Sequence, residues 1–526
     1  MKQVGPLRIQ CVVIVICLLY SLCAGEEAFS QERDERGAEN RITVCIPSPI
    51  LTLDPTAYRD RTTQMVIKNL FDALTTRNEE MQVVPQLAES WKAVSDTIWE
   101  FKLKRGVKFH NGDELTAKDV NFTFERVIRE GGMDGTTSPR KSLLGPLDSV
   151  KVIDDYTVQL VTKRPWAILP LMLTLQEIVP MKYMNDVGSD AFRQRPIGCG
   201  PFRFEKRDDN GDLFLRRFED YYGGSEDNPP VRPPAFEHLV FKTVPEYIER
   251  LAMLKRGMCD IVTQIPPESV GILGMVPDVD ARSRPATRSY FAEINCGKLP
   301  FKDRHVRLAL NYAVDMQAVV EHTLRGYGTV LPTILLPNAF AYDDSLQPYN
   351  YQPGLAEKLL NEAGLPKGTS ITIYYTQETM QFANAIAVFL GKVGLKCVLH
   401  RIKSQNIGEL LRSTTGWDIY ATSWGNSTLD PVGILVPKLL SNGRGNFSGY
   451  RNREVDTLLE AADNTLDLRR RKACYTQIQK IIYRDVPMIF GYAPEEIFGI
   501  SRRVRNFVPS SSGMMNMHDV YLKQGD

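Results

Sequence analysis

The sequence lacks an excess of charge of either sign. Its 526 residues contain 64 Lys plus Arg against 63 Asp plus Glu, so there is no positive surplus to neutralise the phosphates of a nucleic acid. Its 37 glycines and 32 prolines follow no period, and 22 Phe with 21 Tyr supply aromatic side chains for a core. These counts argue against collagen and against disorder. The length allows two or three folded domains.

The chain also lacks the short motifs that identify common enzymes. It contains no phosphate-binding P-loop, no G-x-S-x-G elbow and no H-E-x-x-H sequence. The six histidines are dispersed, with no pair four residues apart. We therefore predict no enzymatic activity, no catalytic residue, no cofactor and no metal ligand. Two alternatives from other classes stay open, namely a secreted hydrolase without a recognisable motif and a carrier of a metal or haem.

Long hydrophobic runs are scarce, and the clearest one lies at the N-terminus. Residues 9–22 are apolar, Lys2 and Arg8 precede them, and the chain turns polar at Gly25. The run is shorter than the ~20 residues that cross a bilayer, which favours a cleaved secretory signal peptide over residues 1–24. Cys23 offers a lipid anchor as the alternative, but the residue before it is a bulky leucine. The charged residues 25–40 are predicted to be a flexible linker.

Paired cysteine motifs are missing as well. Removal of the signal peptide would leave six dispersed cysteines, none of them in a C-x-x-C pair, and zinc binding is therefore a poor interpretation. From the residues alone, a disulfide and buried inert thiols both stay open. The six are Cys45, Cys199, Cys259, Cys296, Cys397 and Cys474.

Alternating apolar and polar residues predict β-structure in the N-terminal half. Residues 42–46 and 97–109 have the period of strands, and residues 150–161 and 202–215 have the pattern of hairpins. Thr116 is a predicted helix N-cap, with an aspartate three residues later.

Helical spacing dominates the C-terminal half. Residues 305–324 predict one helix that ends before a glycine, and residues 454–463 and 468–483 predict two more. Residues 370–402 read as strand, helix and strand. Such a unit implies parallel strands in an α/β sheet, with ligand-facing loops at their carboxyl ends.

One loop concentrates polar side chains beside a predicted strand. In residues 424–431 an indole, an amide, two hydroxyls and a carboxylate lie among turn-forming residues. The loop could line a polar ligand pocket, or it could be a structural turn whose aspartate accepts hydrogen bonds from nearby amides. The sequence alone does not separate these interpretations.

Several segments resemble one family. The similarity extends from about residue 41 to the C-terminus, and the stretch from Arg105 to Asp119 is its most specific part. The chain resembles the extracytoplasmic solute-binding proteins of family 5, the dipeptide, oligopeptide and nickel type that serve ABC importers. The segments that resemble the family are residues 53–55, 84–91 (VPQLAESW), 101–119 (FKLKRGVKFHNGDELTAKD), 198–202, 303–313 and 355–364.

The resemblance implies an α/β class II periplasmic binding protein fold, bilobed, with three domains built on mixed sheets. Domain I would comprise residues 41–75, 205–290 and 488–526, domain II residues 76–204, and domain III residues 291–487. The implied function is capture of a peptide or peptide-like solute by hinge closure, followed by delivery to an inner-membrane ABC permease with its ATPase subunits. A monomer in the periplasm is expected. Carriers of a sugar or opine-type solute, or of a metal or haem complex, are the alternatives on this fold.

The resemblance also implies a disulfide. Dipeptide-binding members join their first strand to a segment similar to residues 254–259, and Cys45 and Cys259 fall at these two places. The pair is therefore predicted to form a disulfide, which typically stabilises a fold by ~2–4 kcal/mol.

The ligand residues depart from the dipeptide binders. Ser427 stands where those proteins place an aspartate against the peptide's amino group, and Gln381 where they place an arginine against its carboxylate. A free dipeptide would lose both charge partners, so a longer or capped peptide, a sugar or an opine-like conjugate is expected to fit better. Asp430 could supply charge from a neighbouring position or brace the loop. The predicted ligand contacts are Tyr58, Gln381, Trp424, Asn426, Ser427 and Asp430.

Overall fold

The structure is a computed structural model that describes residues 40–223, 234–403, 407–413 and 416–523. The predicted signal peptide and the predicted linker, apart from Asn40, lie outside the described residues. In the described ranges, no helix combines the length and the apolar character that crossing a bilayer requires.

The described chain is a mixture of helices and strands. The helices are α1 (Arg61–Leu70), α2 (Ala117–Ile128), α3 (Leu169–Leu173), α4 (Met181–Gln194), α5 (Tyr247–Lys255), α6 (Val270–Leu273), α7 (Arg304–Ala313), α8 (Met316–Leu324), α9 (Pro353–Glu362), α10 (Met380–Lys392), α11 (Ile407–Ser413), α12 (Leu435–Leu439), α13 (Arg453–Asp463) and α14 (Leu468–Asp485). The strands are β1 (Arg41–Ile46), β2 (Thr75–Arg77), β3 (Val83–Pro85), β4 (Ala88–Ser95), β5 (Ile98–Leu103), β6 (Leu147–Asp154), β7 (Thr157–Thr162), β8 (Phe202–Arg207), β9 (Leu213–Arg217), β10 (His238–Thr243), β11 (Ile261–Val262), β12 (Val279–Pro285), β13 (Arg288–Ile294), β14 (Gly328–Val330), β15 (Ser370–Tyr375), β16 (Lys396–Arg401), β17 (Ile419–Gly425), β18 (Met488–Ser501), β19 (Val504–Arg505) and β20 (Tyr521–Leu522).

One mixed sheet runs through most of the molecule. Its order is β16-β15-β17-β13-β18-β11-β1-β10-β9-β8, with β12 and β14 also paired to β18. Strands β15 and β16 are parallel to each other, as are β1 and β10. Their connections cross over through helices or long segments, which is what parallel pairing requires.

Strand β18 joins the two halves of this sheet. Its first residues pair with β13, and its last residues pair with β12 and β11. The chain passes from β12 to β13 through Ala286 and Thr287, so two adjacent segments, antiparallel to each other, run between the halves. We call this region the crossing strands.

A separate four-stranded antiparallel sheet, in the order β4-β5-β7-β6, belongs to the N-terminal half. Helix α2 packs against it and begins at Thr116. The Thr116 hydroxyl accepts a hydrogen bond from the first helical turn, and the Asp119 carboxylate accepts one from the Thr116 amide, 2.9 Å away. This capping box is the one that the sequence predicts.

Separate apolar cores lie on the two sides of the crossing strands. One core gathers β1, α1, β8 to β11 and the C-terminal segment, and another fills the space around the four-stranded sheet. Two further cores surround β13, β15 and β17 on one side and α12 to α14 on the other. Each half of the large sheet is therefore stabilised by its own buried side chains.

Most predicted elements are confirmed, and two are wrong in extent. Both hairpins and the strand–helix–strand unit of residues 370–402 are present. The predicted helix over residues 305–324 is two helices, because Val314 is extended and Asp315 caps α8 by accepting from the Ala318 amide at 3.0 Å. The strand predicted to reach residue 109 ends at Leu103, before a turn in which Gly106 has φ of 73°.

Candidate functional site

A cavity of about 230 Å³ lies beside the crossing strands. On one side it is lined by residues of α1, β2 and the C-terminal segment, and on the other by residues of β13 and of the loop after β17, with Thr287 of the joint between β12 and β13. We call it the cleft cavity. Its wall comprises Arg59, Arg61, Gln64, Lys68, Thr76, Arg77, Thr174, Leu175, Thr287, Arg288, Gly425, Ser427, Ser510, Ser512, Met514 and Asn516.

Helix α1 supplies one face of the wall. Arg61, Gln64 and Lys68 are three and four residues apart, which places them on the same side of the helix. The helix begins after Asp60, whose carboxylate accepts from the Thr63 amide at 2.7 Å. Its opposite side is buried in the core of β1 and the C-terminal segment. The cap and the buried side fix the direction in which the three polar side chains point.

Arg61 ties the C-terminal segment to a crossing strand. Its Nη1 forms an ion pair with Glu496 in β18, and its Nε donates to the Ser512 carbonyl oxygen at 2.5 Å. Burial raises the pKa of Glu496, and the guanidinium charge partly offsets this rise. The Arg61 side chain thus braces the wall from inside the cavity.

Lys68 forms an ion pair with Glu177, a carboxylate that does not line the cavity. Its Nζ lies 3.2 Å from a carboxylate oxygen of the fully buried Glu177 and donates to the Thr174 carbonyl oxygen at 2.5 Å. Tyr58 donates its hydroxyl to the same Glu177 at 3.4 Å, and the Arg140 guanidinium lies 4.4 Å from the Tyr58 ring centroid. Burial raises the Tyr58 pKa well above its ordinary value. Tyr58, a predicted ligand contact, lies in this layer behind the wall.

The loop after β17 is held by its own polar groups. The Asn426 side chain donates to the Asp430 carbonyl oxygen at 2.9 Å and accepts from the Thr428 hydroxyl at 2.8 Å. Its main-chain amide donates to the Thr287 carbonyl oxygen of the joint at 2.7 Å. The Trp424 indole donates to the Gly433 carbonyl oxygen at 2.8 Å. The loop is a braced turn attached to the crossing strands.

Both carboxylate oxygens of Asp430 are bonded to other groups of the protein. It is 4% exposed, and its two carboxylate oxygens lie 2.9 and 3.1 Å from the two terminal nitrogens of Arg471 on α14. The Asp430 oxygens also accept from the Val432 amide at 3.0 Å. This geometry favours the loop-brace role over a charge offered to a ligand.

Of the six predicted ligand contacts, only Ser427 lies on the cavity wall. Its main-chain oxygen accepts a hydrogen bond from Arg77, which comes from the other side of the cavity. Gln381 is exposed on α10 and does not belong to the wall. A contact of any of the six residues with ligand stays a prediction.

The sequence patterns did not indicate the basic side chains of the wall. Only the spacing of Arg61, Gln64 and Lys68 on one helical face was available as a signal. Arg77 and Arg288 belong to separate strands, and their approach to α1 depends on the sheet order, which the local pattern does not contain.

The cysteines of the predicted disulfide are both buried. Cys45 on β1 and Cys259 before β11 belong to one apolar cluster, and the structure contains both as thiols.

His110 is a buried histidine outside the cavity wall. Its ring forms a hydrogen bond with the Gly200 carbonyl oxygen at 3.0 Å, and burial lowers its pKa to about 4. Within the described ranges, no three His, Cys, Asp or Glu side chains come together as metal ligands.

Comparisons with known proteins agree on the class of this fold. The profile of the bacterial extracellular solute-binding proteins, family 5, matches residues 82–446. The glutathione-binding protein GsiB of Salmonella choleraesuis is 27% identical over 86% of this chain and 88% of its own. Heme-binding protein A of Haemophilus influenzae is 28% identical over 98% of both chains. The structure of HbpA2 from Haemophilus parasuis superposes with a TM-score of 0.83 at 23% identity, covering 92% of this chain and 100% of that one.

The large sheet, the crossing strands and the cavity between the halves therefore define a bilobed binding protein of the α/β type. The chain belongs to family 5 of the bacterial extracellular solute-binding proteins.

Proposed function

We propose that this protein is the substrate-binding component of an ABC importer and captures a peptide or peptide-like organic solute. The cleft cavity is the observation that supports this most directly, because its wall combines residues of α1 and β2 with residues of β13, of the loop after β17 and of the joint between β12 and β13. A solute held there would contact both lobes at once and would be handed to an inner-membrane permease with its ATPase subunits.

Closure of the lobes would supply much of the affinity. Water leaves a closed cleft, and the few polar contacts to the solute then act in a medium of lower dielectric constant. The ligand stabilises the closed arrangement because only that arrangement offers both walls, so binding is a shift of population between two states. The crossing strands are the elements that would bend.

The polar groups of the site favour a solute other than a free dipeptide. Ser427 offers no charge to an amino group, and both oxygens of Asp430 are taken by Arg471. A capped peptide has no charged amino group to pair, and a longer peptide can place its amino group away from this loop. A haem complex is the second candidate, because a heme-binding protein matches nearly the full chain. A titration followed by visible absorbance would separate the two.

The remaining parts of the proposal concern the mature chain. Domain I would comprise residues 41–75, 205–290 and 488–526, with 76–204 as domain II and 291–487 as domain III. The protein would act in the periplasm as a monomer after removal of residues 1–24. It would release its solute chemically unchanged.

Native mass spectrometry of the protein purified from its own host tests the proposal. We expect a co-purifying small molecule whose mass fits a peptide or a peptide derivative. Adding that molecule back to stripped protein should reduce the radius of gyration in X-ray scattering and raise the melting temperature. Conversion of the molecule into a product, or a radius that no candidate solute changes, would contradict the proposal.

A further inference from the structure

The wall of the cleft cavity carries charge of one sign. It contains four arginines and one lysine, and no aspartate or glutamate. The whole chain is almost neutral, so the cations are concentrated here rather than spread over the surface. A cavity with such a wall attracts anions and disfavours cations.

Three of the five cations are neutralised by carboxylates that lie outside the wall. These pairs brace the structure and leave little net charge at their positions. The pairs are Arg61 with Glu496, Lys68 with Glu177 at 3.2 Å, and Arg288 with Glu378 at 3.1 Å.

The other two cations, Arg59 and Arg77, have no carboxylate partner among the described residues. Arg59 is exposed and donates from Nη1 to the Ser142 hydroxyl at 3.0 Å. Arg77 donates from Nη1 to the main-chain oxygen of Ser427. The wall therefore keeps two uncompensated positive charges.

Arg77 is the more unusual of these two. Its Nε and Nη2 are buried, and neither has a hydrogen-bond acceptor within the part of the chain that the structure describes. Burial lowers the pKa of Arg77 to about 10, so the guanidinium still carries its charge at neutral pH. The Arg77 side chain as a whole is half-buried, but buried donors without an acceptor are costly to a fold.

The two unused donors have the geometry of a carboxylate site. In a guanidinium group Nε–H and Nη2–H are parallel donors on one edge of a plane, and the two oxygens of a carboxylate accept from such an edge together. Both nitrogens are shielded from water in the arrangement described, in which Arg77 reaches Ser427 across the cavity. Separation of the lobes would break the contact between Arg77 and Ser427.

We propose that Arg77 receives a carboxylate of the captured solute through Nε and Nη2, with Arg59 adding positive charge on the same wall, and that the solute is a net anion. This inference rests on the proposed function, because it assumes that the solute binds in the cleft cavity. It narrows the solute to acidic peptides and their conjugates, with a carboxylate facing the N-terminal half of the protein.

The test uses glutathione, which has two carboxylates, and glutathione diethyl ester, which has the same skeleton with both carboxylates blocked. Calorimetric titration at pH 7.5 compares the wild type with Arg77→Met, which keeps an unbranched apolar stem and removes the guanidinium charge. Arg470→Met, an exposed position on α14 away from the wall, is the matched control. We expect glutathione to bind the wild type and the control equally and Arg77→Met roughly 30-fold or more weakly, with no binding of the diester.

A second measurement needs no ligand. If Arg77 is held for a solute, Arg77→Met removes two buried donors that have no acceptor among the described residues, so the melting temperature of the empty protein should stay constant or rise. A clear fall would identify Arg77 as a structural residue and overturn the inference.

The binding outcomes separate the two proposals. If the diester binds as tightly as glutathione and Arg77→Met binds both like the wild type, the inference is overturned while peptide capture stands. If the wild type binds neither probe and a solute without a carboxylate co-purifies from the host, the inference alone is overturned. If the wild type binds neither probe and no peptide or peptide derivative co-purifies, both are overturned.

Discussion

The pairing of Asp430 with Arg471 makes a sharp prediction about the loop beside the cavity. The pair is bidentate, and each side chain is about 4% exposed. The Asp430 carboxylate also accepts from the Val432 amide, and the Arg471 guanidinium donates to the Tyr475 hydroxyl at 3.2 Å. Replacing Asp430 with alanine would leave the guanidinium buried without its countercharge.

The magnitude follows from this burial. Removing one partner of a buried ion pair typically costs about 3–5 kcal/mol, because the remaining charge loses its partner and cannot reach water. For a unit of about 200 residues, each kcal/mol lowers the melting temperature by roughly 2–4 °C, so Asp430→Ala should lower it by roughly 6–20 °C. The double variant Asp430→Ala with Arg471→Met should recover part of this loss, since no charge is then left unpaired.

Thermal unfolding of the empty protein, followed by tryptophan fluorescence, measures these shifts. Glu362→Ala is the control, because Glu362 forms an exposed pair with Lys358 on α9 at 3.8 Å. Exposed pairs contribute about 0–1 kcal/mol, so this variant should melt close to the wild type.

The opposite result would refute the loop-brace interpretation. If Asp430→Ala melts like the wild type and yet loses its solute, Asp430 acts as a charge for the ligand and Arg471 holds it only weakly. A double variant that is no more stable than Asp430→Ala would show that packing, and not the unpaired charge, determines the loss.

Three further predictions concern the rest of the molecule. Burial raises the pKa of Asp72 to about 6. The folded state therefore binds its proton more tightly than the unfolded state, and stability should fall by about 3 kcal/mol as the pH rises from about 4 to above 6. Asp72→Asn should remove this slope in melts between pH 4 and 7, and an unchanged slope would contradict the assignment. A Cβ at Gly198 would lie 2.0 Å from a main-chain oxygen, whereas one at Gly354 would meet open space. Denaturant titrations should show a loss of about 1–3 kcal/mol or more for Gly198→Ala and a small gain for Gly354→Ala, and equal effects would refute the packing argument. The proposed disulfide predicts a linked peptide of Cys45 and Cys259 in non-reduced mass spectra of the exported protein, and free thiols at both sites would rule it out.

Local sequence signals predicted the elements where local chemistry determines the structure. The Thr116 capping box, the turns of both hairpins and the glycine break before β16 are formed by neighbouring residues, and the structure has all of them. The sequence did not indicate the break between α7 and α8, because Val314 and Asp315 fit a continuous helical pattern as well as they fit a helix cap. Only the continuation of α8 in a new direction distinguishes the two.

The site could be predicted in part only. The loop of residues 424–431 was recognised from its composition, but the role of Asp430 stayed open between a charge for the ligand and a loop brace because its partner Arg471 is distant in sequence. Arg77 stood out in no local pattern, since its significance comes from two donors, Nε and Nη2, that have no acceptor among the described residues. Long-range pairing, or its absence, determines which polar residues of this cleft remain for a solute.

Strand β18 constrains how the cleft can open. One continuous backbone is hydrogen-bonded to both halves of the sheet, and the segment from β12 to β13 runs beside it. Sliding of one lobe along the other would break two ladders at once, whereas a small rotation shared among the residues near Thr287 and Ala493 would break none. The lobes should therefore rotate about an axis that passes through the crossing strands. In the open and the closed state alike, the amides of the crossing strands should exchange with solvent more slowly than those at the rim of the cleft cavity.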